Sequence, residues 1–167
     1  LAGEGLQHQD GHSPLVASTI PNCVTYDPAY GYELAVIIQD GLRRMVQEQE
    51  NRFYYLTAMN ENYVQPPLPP GAEEGILRGL YRVRTAGEGE LRVQLLGSGA
   101  ILREVLAAAD LLEADFGVLA DVWSVTSFNE LKRDGVDVAR WNMLHPTATP
   151  KQSSVSQQLA GAPGPVV

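Results

Sequence analysis

The sequence predicts an α/β fold built from two small α/β units, and three observations lead there. β-branched apolar runs alternate with amphipathic stretches of helical spacing, once before residue 65 and again after residue 75. That alternation suits strands connected by helices in a parallel sheet. Between the two stretches stands Gln65-Pro66-Pro67-Leu68-Pro69-Pro70-Gly71, which can continue neither a helix nor an interior strand. Finally, 167 residues with 44% hydrophobic content are enough to bury a core in one domain or two small ones.

The elements follow in order. Ser18 to Tyr26 is apolar and β-branched, and reads as a strand. A helix is expected from Ala29 to Glu48, with Leu34, Ala35, Ile38, Leu42, Met45 and Val46 on its core face. Arg43, Arg44, Gln47 and Glu48 would form its solvated side, with Asp27 as N-cap and Pro28 at the first helical position. Phe53 to Thr57 is a second strand. The proline run reads as a linker; a peptide-recognition segment is the other reading. Beyond it, Gly79–Thr85 and Arg92–Leu96 read as strands joined by a turn at Gly87–Glu90. A helix from Ile101 to Glu113 would bury Leu102, Val105, Leu106, Ala109 and Leu112. Val118–Val125 is a further strand, and Phe128–Trp141 a helix with a break expected at Gly135. The organisation is therefore a first unit over residues 1–64, a Pro-rich linker over 65–75 and a second unit over 76–167, without internal repeats.

Charge and composition narrow the functional classes. A net charge of −8 argues against nucleic acid, whose phosphates demand Lys and Arg patches. The single cysteine, Cys23, excludes an internal disulfide framework and fits a reducing compartment. No apolar run approaches the ~20 residues that span a bilayer, and no signal peptide opens the chain. A cytoplasmic protein without membrane contact is the expectation. The chain begins at Leu1 without an initiator Met and stops at Pro165-Val166-Val167, which resembles the start of a strand, so it reads as a fragment.

Chemistry concentrates at the start. Gly3-Glu4-Gly5-Leu6-Gln7-His8-Gln9-Asp10-Gly11-His12-Ser13 combines glycines, two imidazoles and a carboxylate, a mixture unsuited to a core strand or helix. Imidazole titrates near neutrality and serves as acid, base or ligand. A solvated loop with two incidental histidines is the plainer alternative. His8 and His12 have the i, i+4 spacing of a helical metal pair, and Asp10 offers a third ligand type. The intervening glycines oppose a helix, however, so no protein-bound metal is expected. His145, before Pro146, is expected to make a structural hydrogen bond. Gly97-Ser98-Gly99, between a strand and a helix, has the position of an anion-holding turn. It lacks the third glycine of the dinucleotide fingerprint and the lysine of the phosphate loop; a tight turn is the preferred reading. Glu61-Asn62-Tyr63 follows the second strand at its carboxyl end, where open α/β sheets place ligands. A polar turn or the lining of a substrate channel both fit there. Trp123 and Trp141 read as core or interface residues, and Glu33, inside an amphipathic helix, as structural.

The residues from Gly3 to Ser13 resemble the active-site loop of the homodimeric type of pyruvate dehydrogenase, the thiamine-diphosphate-dependent decarboxylating component. Further segments agree in order and spacing: Ile20-Pro21-Asn22-Cys23, Tyr26-Asp27-Pro28-Ala29-Tyr30, Asn60-Glu61-Asn62-Tyr63 and Gly71-Ala72-Glu73-Glu74-Gly75. So do Leu95-Leu96-Gly97-Ser98-Gly99, Ser124-Val125-Thr126-Ser127-Phe128 and Arg140-Trp141-Asn142-Met143-Leu144-His145-Pro146. The resemblance runs from about residue 3 to residue 146. It implies that residues 1–64 end a pyrimidine-binding-type domain and that residues 76–167 form a truncated transketolase-like C-terminal domain.

The resemblance also implies chemistry. His8, Asp10 and His12 match the motif and would stand at the substrate end of the cofactor, where imidazoles exchange protons or hold the substrate carboxylate. Pro14 stands where members of that family often carry another His. Transketolase has a similar loop, corresponding to Gln9-Asp10-Gly11, and an Arg for sugar phosphate where Asn60 stands here. Losing that bidentate donor favours a small 2-oxo acid over phosphorylated ketoses. The implied reaction is decarboxylation of pyruvate and transfer of the acetyl unit to the lipoyl domain of dihydrolipoyl acetyltransferase, in a homodimer. Thiamine diphosphate and Mg2+ would be held mainly by residues outside this chain, and Glu61 and Asn62 would line the channel. Another transketolase-like 2-oxo acid or ketose enzyme, or a non-catalytic α/β interaction module, are the alternatives.

Overall fold

A computed structural model describes residues 11–59 and 61–167. Among them the order is α1 (Ser13–Ala17), β1 (Cys23–Tyr26), α2 (Gly31–Leu42, continued by one π-helical turn, Arg43–Gln47) and β2 (Phe53–Leu56). Then come α3 (Glu73–Arg78), β3 (Tyr81–Arg84), β4 (Arg92–Gly97), α4 (Ile101–Phe116), β5 (Leu119–Ser124), α5 (Phe128–Leu144) and α6 (Ser154–Leu159). β1 and β2 pair in parallel, from Cys23 opposite Phe53 to Tyr26 opposite Leu56. The second sheet has the order β3-β5-β4, with β5 parallel to β4 and antiparallel to β3. The expected α/β alternation and both strand–helix–strand units are present.

The first strand is shorter than expected because Ser18 and Thr19 turn their hydroxyls back onto the Leu15 and Val16 carbonyls (2.6 and 2.7 Å). Such local bonds compete with a ladder, and the chain closes α1 before β1 begins. α2 also departs from expectation at its start. Asp27 does not cap it. The free donors of Ala29 and Tyr30 are taken by the Glu33 carboxylate at 2.5 and 3.0 Å, and the helix begins at Gly31. Nor is the buried face the predicted one. Glu33, Ile37, Asp40 and Gly41 are buried, whereas Ile38, Leu42 and Val46 are 44, 55 and 65% exposed. Two carboxylates at helical spacing occupy the inner face, so ranking by hydrophobicity rotates the helix wrongly.

β3 and β4 do not form a hairpin, because β5 lies between them. The connection is instead tied over the end of β5. Asp121 accepts from the Ala86 amide (2.8 Å), Arg92 Nη2 (2.9 Å) and Gln94 Nε2 (2.9 Å), and Arg92 also donates to the Gly87 carbonyl (2.8 Å). α5 runs unbroken through Gly135, where an added Cβ would meet no atom within 4 Å. Ser127 caps it, accepting from the Glu130 amide at 3.0 Å.

Among the described residues, three clusters fill the interior. α4 covers β4 and β5 through Leu102 and Ala109, with Val105, Leu106 and Leu112 beside them, on the face predicted. Ala29 and Tyr30 of the first unit belong to this same cluster. A second joins Val24, Tyr26 and Ile37 to Ile76 of α3 and Tyr81 of β3. On the opposite face of the second sheet, Leu80, Trp123 and Val125 meet Leu131, Val155 and Leu159. The segment Gln65–Pro69 is neither helix nor strand, but α3, which follows at once, was not anticipated. α3 ends at Gly79 (φ +100°), where an added Cβ would lie 2.5 Å from the Ser127 carbonyl. Only glycine meets both demands. The final residues lie along β4, with the Gln94 amide donating to the Pro165 carbonyl at 2.8 Å and Val166 bridged in parallel to Gln94.

Candidate functional site

The carboxyl ends of β1 and β2 lie side by side, and the residues just beyond them build a small polar seam. Asp27 follows β1 directly, and Thr57 follows β2. Thr57 Oγ1 donates to Asp27 Oδ1, while Ser98 Oγ donates to Asp27 Oδ2 at 2.8 Å. The Gly99 amide donates to the Asp27 carbonyl (3.2 Å), and the Asp27 amide to the Thr126 carbonyl (2.7 Å). The turn Gly97-Ser98-Gly99, at the start of α4, is thus wrapped around a carboxylate from the chain itself. Gly99 adopts φ +48°, and a Cβ there would sit 2.5 Å from Asp27 Oδ1. This is the tight strand-to-helix turn that the sequence favoured, and its Gly99 amide and Ser98 hydroxyl both donate to Asp27.

Downstream of Thr57 the chain is pinned repeatedly. Glu61 pairs with Arg103 Nη1 of α4 at 3.2 Å. The same guanidinium lies over the Tyr63 ring, 4.6 Å from its centre, and Tyr63 donates its hydroxyl to the Ala29 carbonyl. Gln65 Oε1 accepts from the Gly31 amide at 2.9 Å. Glu61 and Asn62 are both exposed, so the channel residues proposed from sequence lie at an accessible edge between α2 and α4.

Behind this edge lies a fully buried carboxylate, Glu33. Besides Ala29 and Tyr30 it receives the Tyr81 hydroxyl (2.6 Å) and the Ser124 hydroxyl (2.7 Å), and Tyr32 meets Tyr81 at 2.6 Å. Burial raises the Tyr32 hydroxyl to about 12, opposed by its bond with Tyr81. Tyr81 rises further, through burial first and then the negative charge of Glu33. Both hydroxyls therefore stay protonated and donate at neutral pH. Glu33 is structural, as the sequence reading had it, though by joining α2 to β3 and β5 rather than by lying on a helix surface.

Of the loop residues, His8 and Asp10 lie outside the described residues, as does Asn60. His12 is exposed at the entry to α1 and its side chain does not cap that helix. α1 is held in place through Asn129, whose Nδ2 donates to the Pro14 carbonyl (2.7 Å) and to Thr25 Oγ1. His145 makes the expected structural bond, Nδ1 lying 2.8 Å from the Trp141 carbonyl. Trp123 is buried, with Nε1 donating to Gln94 Oε1 at 2.8 Å. Trp141, by contrast, is a half-buried surface residue between the His145 ring (4.5 Å) and Lys151 Nζ (4.3 Å). Arg103 escaped the sequence reading, Asp27 was read only as a helix cap, and Tyr63 was noted only within the Glu61-Asn62-Tyr63 segment. The one available signal, an acid directly before proline, reads equally well as a helix cap.

Comparison with known proteins agrees with this architecture. The family model of the pyruvate dehydrogenase E1 component middle domain matches residues 1–66, and that of the transketolase-like TK C-terminal domain matches residues 79–167. The pyruvate dehydrogenase E1 component of Pseudomonas aeruginosa is 64% identical over the whole chain, and that of Escherichia coli K12 is 58% identical over 98% of it. The chain spans only 19% and 18% of those relatives. Among solved structures, a transketolase R525L mutant from Pichia stipitis superposes with a TM-score of 0.62 at 18% identity. It covers 98% of this chain, which corresponds to 20% of its own. A second structure of that enzyme, an R356L mutant with fructose 6-phosphate, gives 0.57 at 19% identity over 77% of this chain and 18% of its own. At that identity these structures speak for the fold alone. The chain belongs to the pyruvate dehydrogenase E1 component family and carries its middle-domain match followed by a transketolase-like C-terminal domain.

Proposed function

We propose that this chain is the part of a thiamine-diphosphate-dependent pyruvate dehydrogenase E1 enzyme that supplies the substrate-side loop and channel edge. The whole enzyme decarboxylates pyruvate and passes the acetyl unit to a lipoyl group of dihydrolipoyl acetyltransferase, as a homodimer in the cytoplasm. The observation that carries the reading is identity of 64% and 58% to E1 components, sustained across both units. Among the described residues no helix is long and apolar enough to cross a membrane.

The described residues do not fit the cofactor's diphosphate or Mg2+. The turn best placed to hold an anion is taken by Asp27, and no three His, Cys, Asp or Glu side chains among them group as metal ligands. What this chain offers is proton exchange and orientation. His8 and His12 accept and donate protons or hold the pyruvate carboxylate, Asp10 orients an imidazole, and Glu61 and Asn62 line the approach. The division at 65–75 belongs to this proposal, supported by the two separate sheets on either side.

The test is pyruvate-dependent reduction of an artificial electron acceptor by the complete protein with thiamine diphosphate and Mg2+. His8→Ala or His12→Ala is expected to lower kcat about 10²–10⁴-fold if that imidazole is the acid–base. Unchanged turnover in both variants would overturn the assigned roles. A complete protein that ignores pyruvate yet accepts a phosphorylated ketose would overturn the substrate.

A further inference from the structure

The seam around Asp27 suggests a role beyond cohesion. Its carboxylate holds Thr57, where the Thr57–Gln65 stretch leaves β2, and Ser98, where α4 begins. Five residues further along α4, Arg103 holds Glu61 and covers Tyr63. Thus α4 supplies the ion pair to the middle of that stretch, and Asp27 fixes both the start of α4 and the start of the stretch. The exposed pair Glu61–Arg103 is too weak to hold a loop by itself. The half-buried Asp27 contact, shielded from solvent and made to two hydroxyls, is the stronger anchor.

We propose that Asp27 is a positioning residue that holds the stretch bearing Glu61 and Asn62 against the start of α4 and so sets the width of the substrate channel. The channel half of this statement rests on the proposed function; the anchoring half does not. Asp27 touches neither substrate nor cofactor and acts through Thr57 and Ser98. Gly99 supports the assignment from the other side, because an added methyl there would displace the carboxylate.

The experiment uses the complete protein with Asp27→Asn and, as a second variant that leaves the carboxylate intact, Thr57→Val. Hydrogen exchange of peptides covering residues 57–65 is measured beside steady-state kinetics. Anchoring predicts exchange about tenfold faster there in both variants, with the interior of β5 unchanged. Channel control predicts a pyruvate KM about five- to tenfold higher, with kcat within about twofold of the parent. Unaltered exchange in both variants overturns the anchor. Faster exchange with KM and kcat both unchanged overturns the control of the channel, and a collapse of kcat at constant KM does the same. If the parent protein does not consume pyruvate, the proposed function fails, and the exchange data still decide whether Asp27 holds the stretch.

Discussion

Glu33 and Asp121 are both carboxylates sealed from water, at 0% and 1% exposure, yet they are compensated in different ways. Asp121 stays within the second sheet and its loops, and faces a cation: Arg92 lies 2.9 Å away. Glu33 crosses from the first unit to the second and receives only backbone amides and hydroxyls. An internal network can recruit charge from a neighbouring strand of its own sheet. A junction between two units has to be closed by whatever each surface presents, here two tyrosines and a serine. The consequence is that the Glu33 junction is exacting, since each neutral donor left without its acceptor remains buried and unsatisfied.

The comparison is sharpened most by Glu33→Ala. It strands four donors at once and is expected to cost about 4 kcal/mol, read as a fall in the melting temperature of the complete protein. A loss under about 1 kcal/mol would mean that the junction repacks. Asp121→Asn comes next, at about 2 kcal/mol near neutral pH, because Arg92 keeps its position but loses its counter-charge. Its pH dependence separates the two sites. Burial raises the Asp121 carboxyl, but the bonds from Gln94, Ala86 and Arg92 outweigh it and hold the group below its usual range. The folded value therefore lies below the unfolded one. The contribution is present above about pH 4 and is lost as pH falls through the lower folded value. Melting curves of parent and Asp121→Asn should converge as pH falls through the lowered folded value; a constant gap would show that geometry, not charge, is what Asp121 supplies. The smallest effect belongs to Tyr32→Phe, about 1 kcal/mol or less, since Tyr81 still donates to Glu33 when its outer neighbour is gone. A larger loss would place the two tyrosines and Glu33 in one strongly cooperative chain.

Legibility in the sequence followed the nature of each interaction. The face of α4 was readable because its inner residues are Leu, Val and Ala at helical spacing, as a hydrophobic count assumes. On α2 the same count failed because Glu33 and Asp40 turn inward, and their partners lie up to 91 residues away. α3 went unseen in the shadow of the prolines, since it is short and owes its burial to Val24, Tyr26 and Ile37 of the first unit. Within the candidate site, Glu61 and Asn62 were singled out as candidates from their place after a strand. Asp27 and Arg103 were not, because nothing local distinguishes a seam residue from a helix cap or a surface cation.

By itself, then, the sequence determined the α/β alternation, most element positions, the family and the residue types at the loop. Those follow from periodicity, proline chemistry and motif order, all short-range properties. Tertiary structure alone decided that β5 separates β3 from β4, that α2 turns its carboxylates inward, and that Asp27 fills the glycine turn. Each of these depends on bringing together groups far apart in the chain, where the need to satisfy buried polar atoms overrides local preference.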